Sequence, residues 1–199
     1  MTISGLRARK MARTREQIAE AALTAFVARG YEATTLDEIA DTAEVHKRTL
    51  LRYFPTKAHM VLHGHFAALE EFRLAVAVRG RTPMIDIWEA HVVRHSRAIA
   101  QRGPLSNTRK IAATEPAVRQ AYMEIQSAYQ QIIADGLAAE WGVAPGTDIR
   151  VEVVAAALAA GNFAVSATVL DREAYAELEP AELAVIALVR TNLLGPIHN

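Results

Sequence analysis

Apolar residues recur along this chain at three- and four-residue spacing from one end to the other, and no stretch alternates with the period of a strand. Ile18, Ala22 and Phe26 form the first stripe. Thr14 and Gln17 precede it as a capping-box pair and Gly30 follows it, which predicts a helix from about Thr14 to Ala28. A short second helix is predicted after Thr35, its N-cap, with Glu38 three residues on and Leu36, Ile39 and Ala40 turned inward. Residues 46–53 read as a third, with Leu50 and Phe54 as its buried pair and Pro55 as its stop.

Longer helices follow. One runs from Lys57 or Ala58 to about Val78, ended by Arg79-Gly80-Arg81. The next opens at Thr82-Pro83, with Ile85, Trp88, Val92, His95 and Ile99 on its apolar face. A brief helix near 105–113 precedes the start signal Thr114-Glu115-Pro116. Val118, Tyr122, Ile125, Tyr129, Ile132 and Leu137 then keep helical spacing. Helices near 149–170 and 180–194 complete the chain, the last stopping at Gly195-Pro196. The expected fold is all-α with about nine helices. A basic arm, 1–12, expected to be flexible, precedes a three-helix unit over 13–57 and a helical bundle over 58–199.

Composition sharpens this picture. Of 199 residues about half are apolar, with 10 Gly and 7 Pro, a balance that favours helices over turn-rich β architecture. The chain has no cysteine, which removes disulfides, thiolate metal sites and cysteine nucleophiles. MTISGLRARKMARTR has no apolar core and is not a secretory signal, so a cytoplasmic protein is expected. The uncharged run Val153–Leu170 approaches the length of a membrane span. It is rich in Ala, carries Gly161, Asn162, Ser166 and Thr168, and lacks flanking basic anchors, so it reads as a helix buried in protein.

Net charge is zero but uneven: residues 1–62 hold 10 Lys/Arg against 7 Asp/Glu. Arg7, Arg9, Lys10, Arg13 and Arg15 concentrate part of that excess before the first helix, which points to a polyanion partner at one end.

Three short helices with a tight connection between the second and third make a helix-turn-helix arrangement. With Val45, Leu50 and Phe54 inward, His46, Lys47, Arg48, Thr49, Leu51, Arg52 and Tyr53 share the outer faces. Guanidinium and ammonium groups there can reach guanine O6 and N7 or phosphate, and a Thr methyl or Leu side chain can meet a thymine methyl. Glu44 is the discordant residue, since the turn before this helix would prefer glycine.

From about Arg13 to Leu62 the chain resembles the DNA-binding domain of the tetracycline-repressor (TetR) family, through IAEAALTAFVARGYEATTLDEIADTAEV and TLLRYFPTKAHMVL. The resemblance implies that Thr34 and Thr35 anchor phosphate, that Lys47, Arg48, Thr49 and Leu51 face the groove, and that Arg52 or Tyr53 with Lys57 contact the backbone. Four departures set base readout apart: Glu44 for the usual turn glycine, His46 for a Ser/Thr N-cap, Arg48 for a common glycine and Leu51 for a frequent tyrosine. The implied function is a ligand-responsive repressor that binds a pseudo-palindromic operator in double-stranded DNA as a homodimer. Effector binding would shift the helix that begins near Lys57 and lower DNA affinity.

In the larger part, Phe66, Trp88, His91, His95, Tyr122, Gln126 and Tyr129 are candidates to line a pocket for a small, largely apolar or aromatic effector. In the last two helices Ala156, Ala157, Ala160, Gly161 and Ala164 permit close helix approach. Leu183, Ile186, Ala187, Leu193 and Leu194 form a second stripe, so this pair is the expected dimer interface. No catalytic set, metal site or cofactor motif is found. The alternative reading is a helical enzyme or metal-binding protein using His91 and His95, which share a helix face at i, i+4 but lack the HExxH glutamate.

Overall fold

A computed structural model describes residues 3–102 and 108–194. Among the described residues there are ten α-helices: α1 (Ile3–Arg29), α2 (Leu36–Thr42), α3 (Lys47–Tyr53), α4 (Lys57–Val61), α5 (His63–Ala77), α6 (Met84–Arg102), α7 (Arg109–Thr114), α8 (Pro116–Trp141), α9 (Ile149–Asp171) and α10 (Leu178–Asn192). The all-α expectation therefore holds, with one more helix than the pattern indicates. The additional one arises because the helix expected from Lys57 to Val78 is interrupted at Leu62. That residue caps α4 by donating its N–H to the Ala58 carbonyl.

Two further boundaries differ. α1 starts at Ile3 rather than Thr14, so the arm expected to be flexible is helical over its described part. The Thr14 hydroxyl donates back to the Lys10 carbonyl (3.0 Å) instead of capping a new helix, and the Arg, Lys, Ala and Met residues before it are strong helix formers. In α8 the buried stripe continues through Ile133 rather than Ile132, because strict i, i+4 spacing from Ile125 and Tyr129 leads there. The start of the helix expected near 105–113 and the Gly195-Pro196 stop lie outside the described residues.

The chain divides into two compact units, Met1–Gly64 with Lys110–Tyr122 and His65–Arg109 with Met123–Asn199. In the first, Ile18, Ala22 and Phe26 of α1 are buried with Ile39, Leu50, Phe54, Met60 and Leu62, so four helices share one core. Gly30 (φ 91°) ends α1 in the left-handed conformation that its missing Cβ makes cheap. In the second, Phe72, Trp88, Val92, Tyr129, Ile133 and Leu137 are buried among α5, α6 and α8. α9 packs on α10 closely enough that a Cβ on Gly161 would lie 2.8 Å from Val185 Cγ1. Arg79 donates to the carbonyls of Thr82 (2.9 Å) and Gly136 (2.7 Å) and pairs with Glu140, which also accepts the Met84 N–H. One guanidinium thus fastens the α5–α6 turn to α8.

Candidate nucleic-acid interface and effector site

α2 and α3 are held in a fixed relation by local chemistry. Thr35 and Glu38 form the complete capping box: the Thr35 hydroxyl accepts the Glu38 N–H (3.2 Å), and Glu38 Oε2 accepts the Thr35 N–H (2.8 Å). The Thr35 N–H, and then its hydroxyl donating to the same oxygen, hold the Glu38 carboxyl below the usual carboxylate range. At the other end of α2, Glu44 N–H donates to Asp41 O (3.1 Å) and Val45 N–H to Ala40 O (2.9 Å), the paired bonds of a Schellman closure. That closure needs a left-handed residue at position 44, and Glu44 adopts φ 53°. The turn therefore keeps its geometry, and a glutamate bears the backbone strain that a glycine would not.

α3 follows at once. The His46 carbonyl accepts the Thr49 and Leu50 N–H groups, while its ring makes no cap bond and stands exposed. Leu50 and Phe54 are buried, which turns Lys47, Arg48, Leu51 and Arg52 to the outside, with Thr49 and Tyr53 half-buried. Arg48 has no hydrogen bond or ion pair to any described residue. Leu51 is 42% exposed on the same face. Arg52 lies over the Tyr53 ring, 5.5 Å from its centroid. Lys47 is paired with Asp37 (2.8 Å), an exposed ion pair worth little in water and easily exchanged.

Two residues named for phosphate contact are placed otherwise. Thr34 is 1% exposed, and its hydroxyl donates to the Gly30 (2.8 Å) and Ala25 (3.3 Å) carbonyls, so the hydroxyl is turned inward. Lys57 Nζ donates inward to the Tyr31 (2.6 Å) and Thr34 (3.3 Å) carbonyls and sits 4.5 Å from the Tyr31 ring centroid. Spacing could not reveal either, because the groups that claim them are backbone carbonyls of α1 and of the α1–α2 connection.

In the second unit Trp88, His91 and Tyr129 come together around Phe72, a residue the sequence reading missed although it lies on the same helix stripe as His65. Phe72 ring contacts run to His91 (4.9 Å), Trp88 (5.2 Å) and Tyr129 (5.5 Å). His91 stacks on His95 (6.0 Å), and His95 meets His65 (5.5 Å). Phe66 and Gln126 are half-buried, as is Tyr122, which belongs to the first unit. Burial, with the neighbouring His95 second, pushes His65 and His91 down to about 3; burial and then Arg102 push His95 down to about 4. The three imidazoles are therefore neutral at physiological pH. His91 Nε2 bonds the Tyr129 hydroxyl (3.0 Å), while its Nδ1 is buried with no hydrogen-bond partner among the described residues. No group of three or more His, Asp or Glu among the described residues is placed to hold a metal ion.

A polar seam joins α6, α9 and α10 beside this cluster. Trp88 Nε1–H donates to Asn162 Oδ1 (2.9 Å), and Asn162 Nδ2 donates to the Glu182 carbonyl (2.9 Å). The Glu182 carboxylate accepts from the Ser96 and Ser166 hydroxyls, and burial pushes its pKa up. Asn162 interrupting an otherwise apolar run was the available signal. Glu182 gave none, since glutamates on amphipathic helices are usually solvated.

Of the residues expected at a subunit interface, Ile186 is 1% exposed and Gly161 serves the α9–α10 contact, so both are used within the chain. Ala157, Ala160 and Leu183 are half-buried, and Ala164 and Leu193 are exposed. Ile149 (77% exposed), Val153 (49%) and Leu188 (64%) extend this uncovered apolar surface on the same two helices. α9 is long and apolar enough to cross a membrane by length and composition. Its buried face and the hydrogen-bonded Asn162 fit a helix packed in protein.

Residues 18–63 match the family described as bacterial regulatory proteins, tetR family. The helix-turn-helix belongs to the tetR family. Across 82 residues the chain is 45% identical to the HTH-type transcriptional regulator TcmR of Streptomyces glaucescens, covering 40% of this chain and 36% of TcmR. Against the HTH-type transcriptional repressor KstR of Mycobacterium tuberculosis it is 34% identical over 94 residues, 46% of this chain and 42% of KstR. The matched stretch is less than half of either relative. Over nearly the whole chain the fold resembles Thermus thermophilus FadR, a TetR-family repressor solved with lauroyl-CoA: TM-score 0.56, 23% identity, 92% of this chain and 94% of that one. The fatty acid degradation regulator FadR of Bacillus halodurans gives 0.59 at 17% identity, covering 94% and 97%. At these identities the likeness is one of architecture, a tetR-family helix-turn-helix followed by a larger helical part.

Proposed function

We propose that this protein is a bacterial cytoplasmic transcriptional regulator, most simply a repressor, that binds a pseudo-palindromic operator as a homodimer and releases it when a small effector binds. The observation that carries this is the outer face of α3. Arg48, Leu51 and Arg52 project from a short helix whose other face is fixed in the core, on a tetR-family scaffold. Such a face offers bidentate donors for guanine and an apolar contact for thymine methyl, and its cations draw on counterion release. Thr35 and Lys47 supply phosphate contacts, Lys47 once it exchanges Asp37 for DNA.

The uncovered stripe on α9 and α10 supports the homodimer, since covering Ile149, Val153 and Leu188 removes exposed apolar area from water. The cluster of Phe72, Trp88, His91, His95 and Tyr129 supports an effector with a flat or apolar body and one neutral polar group for the unpaired His91 Nδ1. A hydroxyl serves either tautomer of that ring. Effector and DNA then oppose one another by linkage between two sites.

The test is a mobility shift on the DNA upstream of the protein's own gene. A retarded band that survives excess unrelated DNA and maps to an inverted repeat is expected; retardation lost to any competitor leaves only a non-specific polyanion binder.

A further inference from the structure

α1 continues well past the core it serves. The helix begins at Ile3, yet Ile18 is the first buried residue among its described side chains. Over 9–13 every residue is exposed. Met11 is 50% exposed although it continues the register of the buried Ile18 and Ala22. Such a stretch gains little from packing, which supplies most of the stability of helices in water. Its charge is also of one sign. The first fifteen residues hold five Lys/Arg and no Asp or Glu. Arg9 and Arg13 stand at i, i+4, where like charges oppose the helix. Arg9, Lys10 and Arg13 make no hydrogen bond or ion pair to any described residue. Glu16, the first acid along the chain, pairs with His63 (3.3 Å). Among the described residues nothing offsets these three cations, and an external anion would.

Position indicates which anion. The Arg15 guanidinium lies 5.9 Å from the ring centroid of Phe54, the C-cap of α3. The extension thus leaves the unit beside the last turn of α3, which carries Arg52. At about 1.5 Å per residue, Arg9 is about 9 Å along the axis from Arg15. A major groove about 12 Å wide has a row of phosphates on each side. A duplex seated on α3 therefore brings phosphates within reach of the extension.

We propose that the N-terminal extension of α1 is a second DNA-binding element, in which Arg9, Lys10 and Arg13 neutralise phosphates just outside the base pairs that α3 reads. This rests on the DNA-binding reading above. The extension adds affinity and lengthens the occupied duplex without adding base preference, because phosphate contacts carry no direct sequence information.

The experiment measures binding over a range of salt concentrations to duplex DNA that the full-length parent has selected from a random-sequence pool. One duplex is trimmed to the selected repeat, and the other carries a further helical turn of unrelated sequence on each side. The proteins are the parent, the Arg9→Gln/Lys10→Gln/Arg13→Gln triple variant and the charge-keeping Arg9→Lys/Arg13→Lys variant. Glutamine is a good helix former and these positions are exposed, so the triple variant should melt with the parent. Each phosphate contact contributes about 0.9 to the slope of log affinity against log salt. On the long duplex the triple variant should lose about one to three from that slope per subunit, and bind at least about tenfold more weakly near 0.1 M salt. Trimming should impose a similar loss on the parent and almost none on the triple variant. The lysine variant should behave as the parent, and discrimination among single-base variants of the repeat should be the same in all three proteins. Equal slopes of parent and triple variant on the long duplex overturn the proposal. So does a triple-variant deficit that persists in full on the trimmed duplex, or a lysine variant as weak as the triple one. Absence of any selected DNA with the parent overturns the regulatory reading itself, and the second element with it.

Discussion

The outer face of α3 and the aromatic–histidine cluster of the second unit are opposites. On α3, cations stand in water with few internal partners, and the strain lies in a turn, at Glu44. In the cluster, titratable groups are enclosed, neutral and packed ring against ring, and the cost lies in the one unsatisfied atom, His91 Nδ1. A surface that reads a polyanion must leave its charges available. A site that holds an uncharged molecule must remove charge and water first. The first unit leaves the α3 cations in water, whereas the second encloses His91 among aromatic rings.

The largest way to separate the two regions is Phe72→Ala. Phe72 is fully buried at the centre of the cluster, so its truncation should destabilise the fold by about 3–5 kcal/mol in urea melts. Any DNA-binding loss should track the fraction unfolded; full stability would show that the rings are not core.

Next is Arg48→Ala, which should leave melting unchanged and relax discrimination at particular base pairs by about 1–3 kcal/mol. Equal binding of all single-base variants by parent and mutant would remove Arg48 from base readout.

Acid acts on the cluster through its buried histidines. Folded His65 and His91 titrate at about 3 and His95 at about 4, against about 6.5 for free histidine. Between those values the unfolded chain holds protons that the folded chain refuses. Stability from this source is complete above about pH 6.5 and falls as pH drops toward 4, by up to about 1.4 kcal/mol per pH unit for each histidine. Glu182, its pKa raised, works in the opposite direction and partly offsets the loss. His95→Phe should flatten the dependence of melting temperature on pH in that window; an unaltered slope would mean His95 is not held neutral by burial.

The smallest effect is Glu44→Gly. Relief of the left-handed glutamate should raise stability by about 1 kcal/mol. A fall in both stability and DNA affinity would instead assign the carboxylate a role.

The sequence revealed the first region more fully than the second. The capping box at Thr35, the inward pair Leu50 and Phe54, and the awkward Glu44 were legible because each depends on residues a few positions away. The internal bonds of Lys57 and Thr34 are not legible, because their acceptors are backbone carbonyls, which have no sequence signature. In the bundle the apolar stripes showed which faces are buried but not which helices meet. Trp88 with Asn162, and Ser96 with Glu182, join residues far apart in the chain. Ile133, buried where Ile132 is only half-buried, shows the limit of stripe reading, since one residue, about 100° of helix, decides which side chain enters the core.

The most direct measurement is the ratio of affinities, at one fixed salt concentration, of the parent protein for its selected inverted repeat and for a scrambled duplex of equal length. A regulator reading bases through two α3 helices should prefer the repeat by about a thousandfold or more. A ratio near one, with the same salt slope on both duplexes, would mean that the exposed cations of α3 hold DNA without reading it.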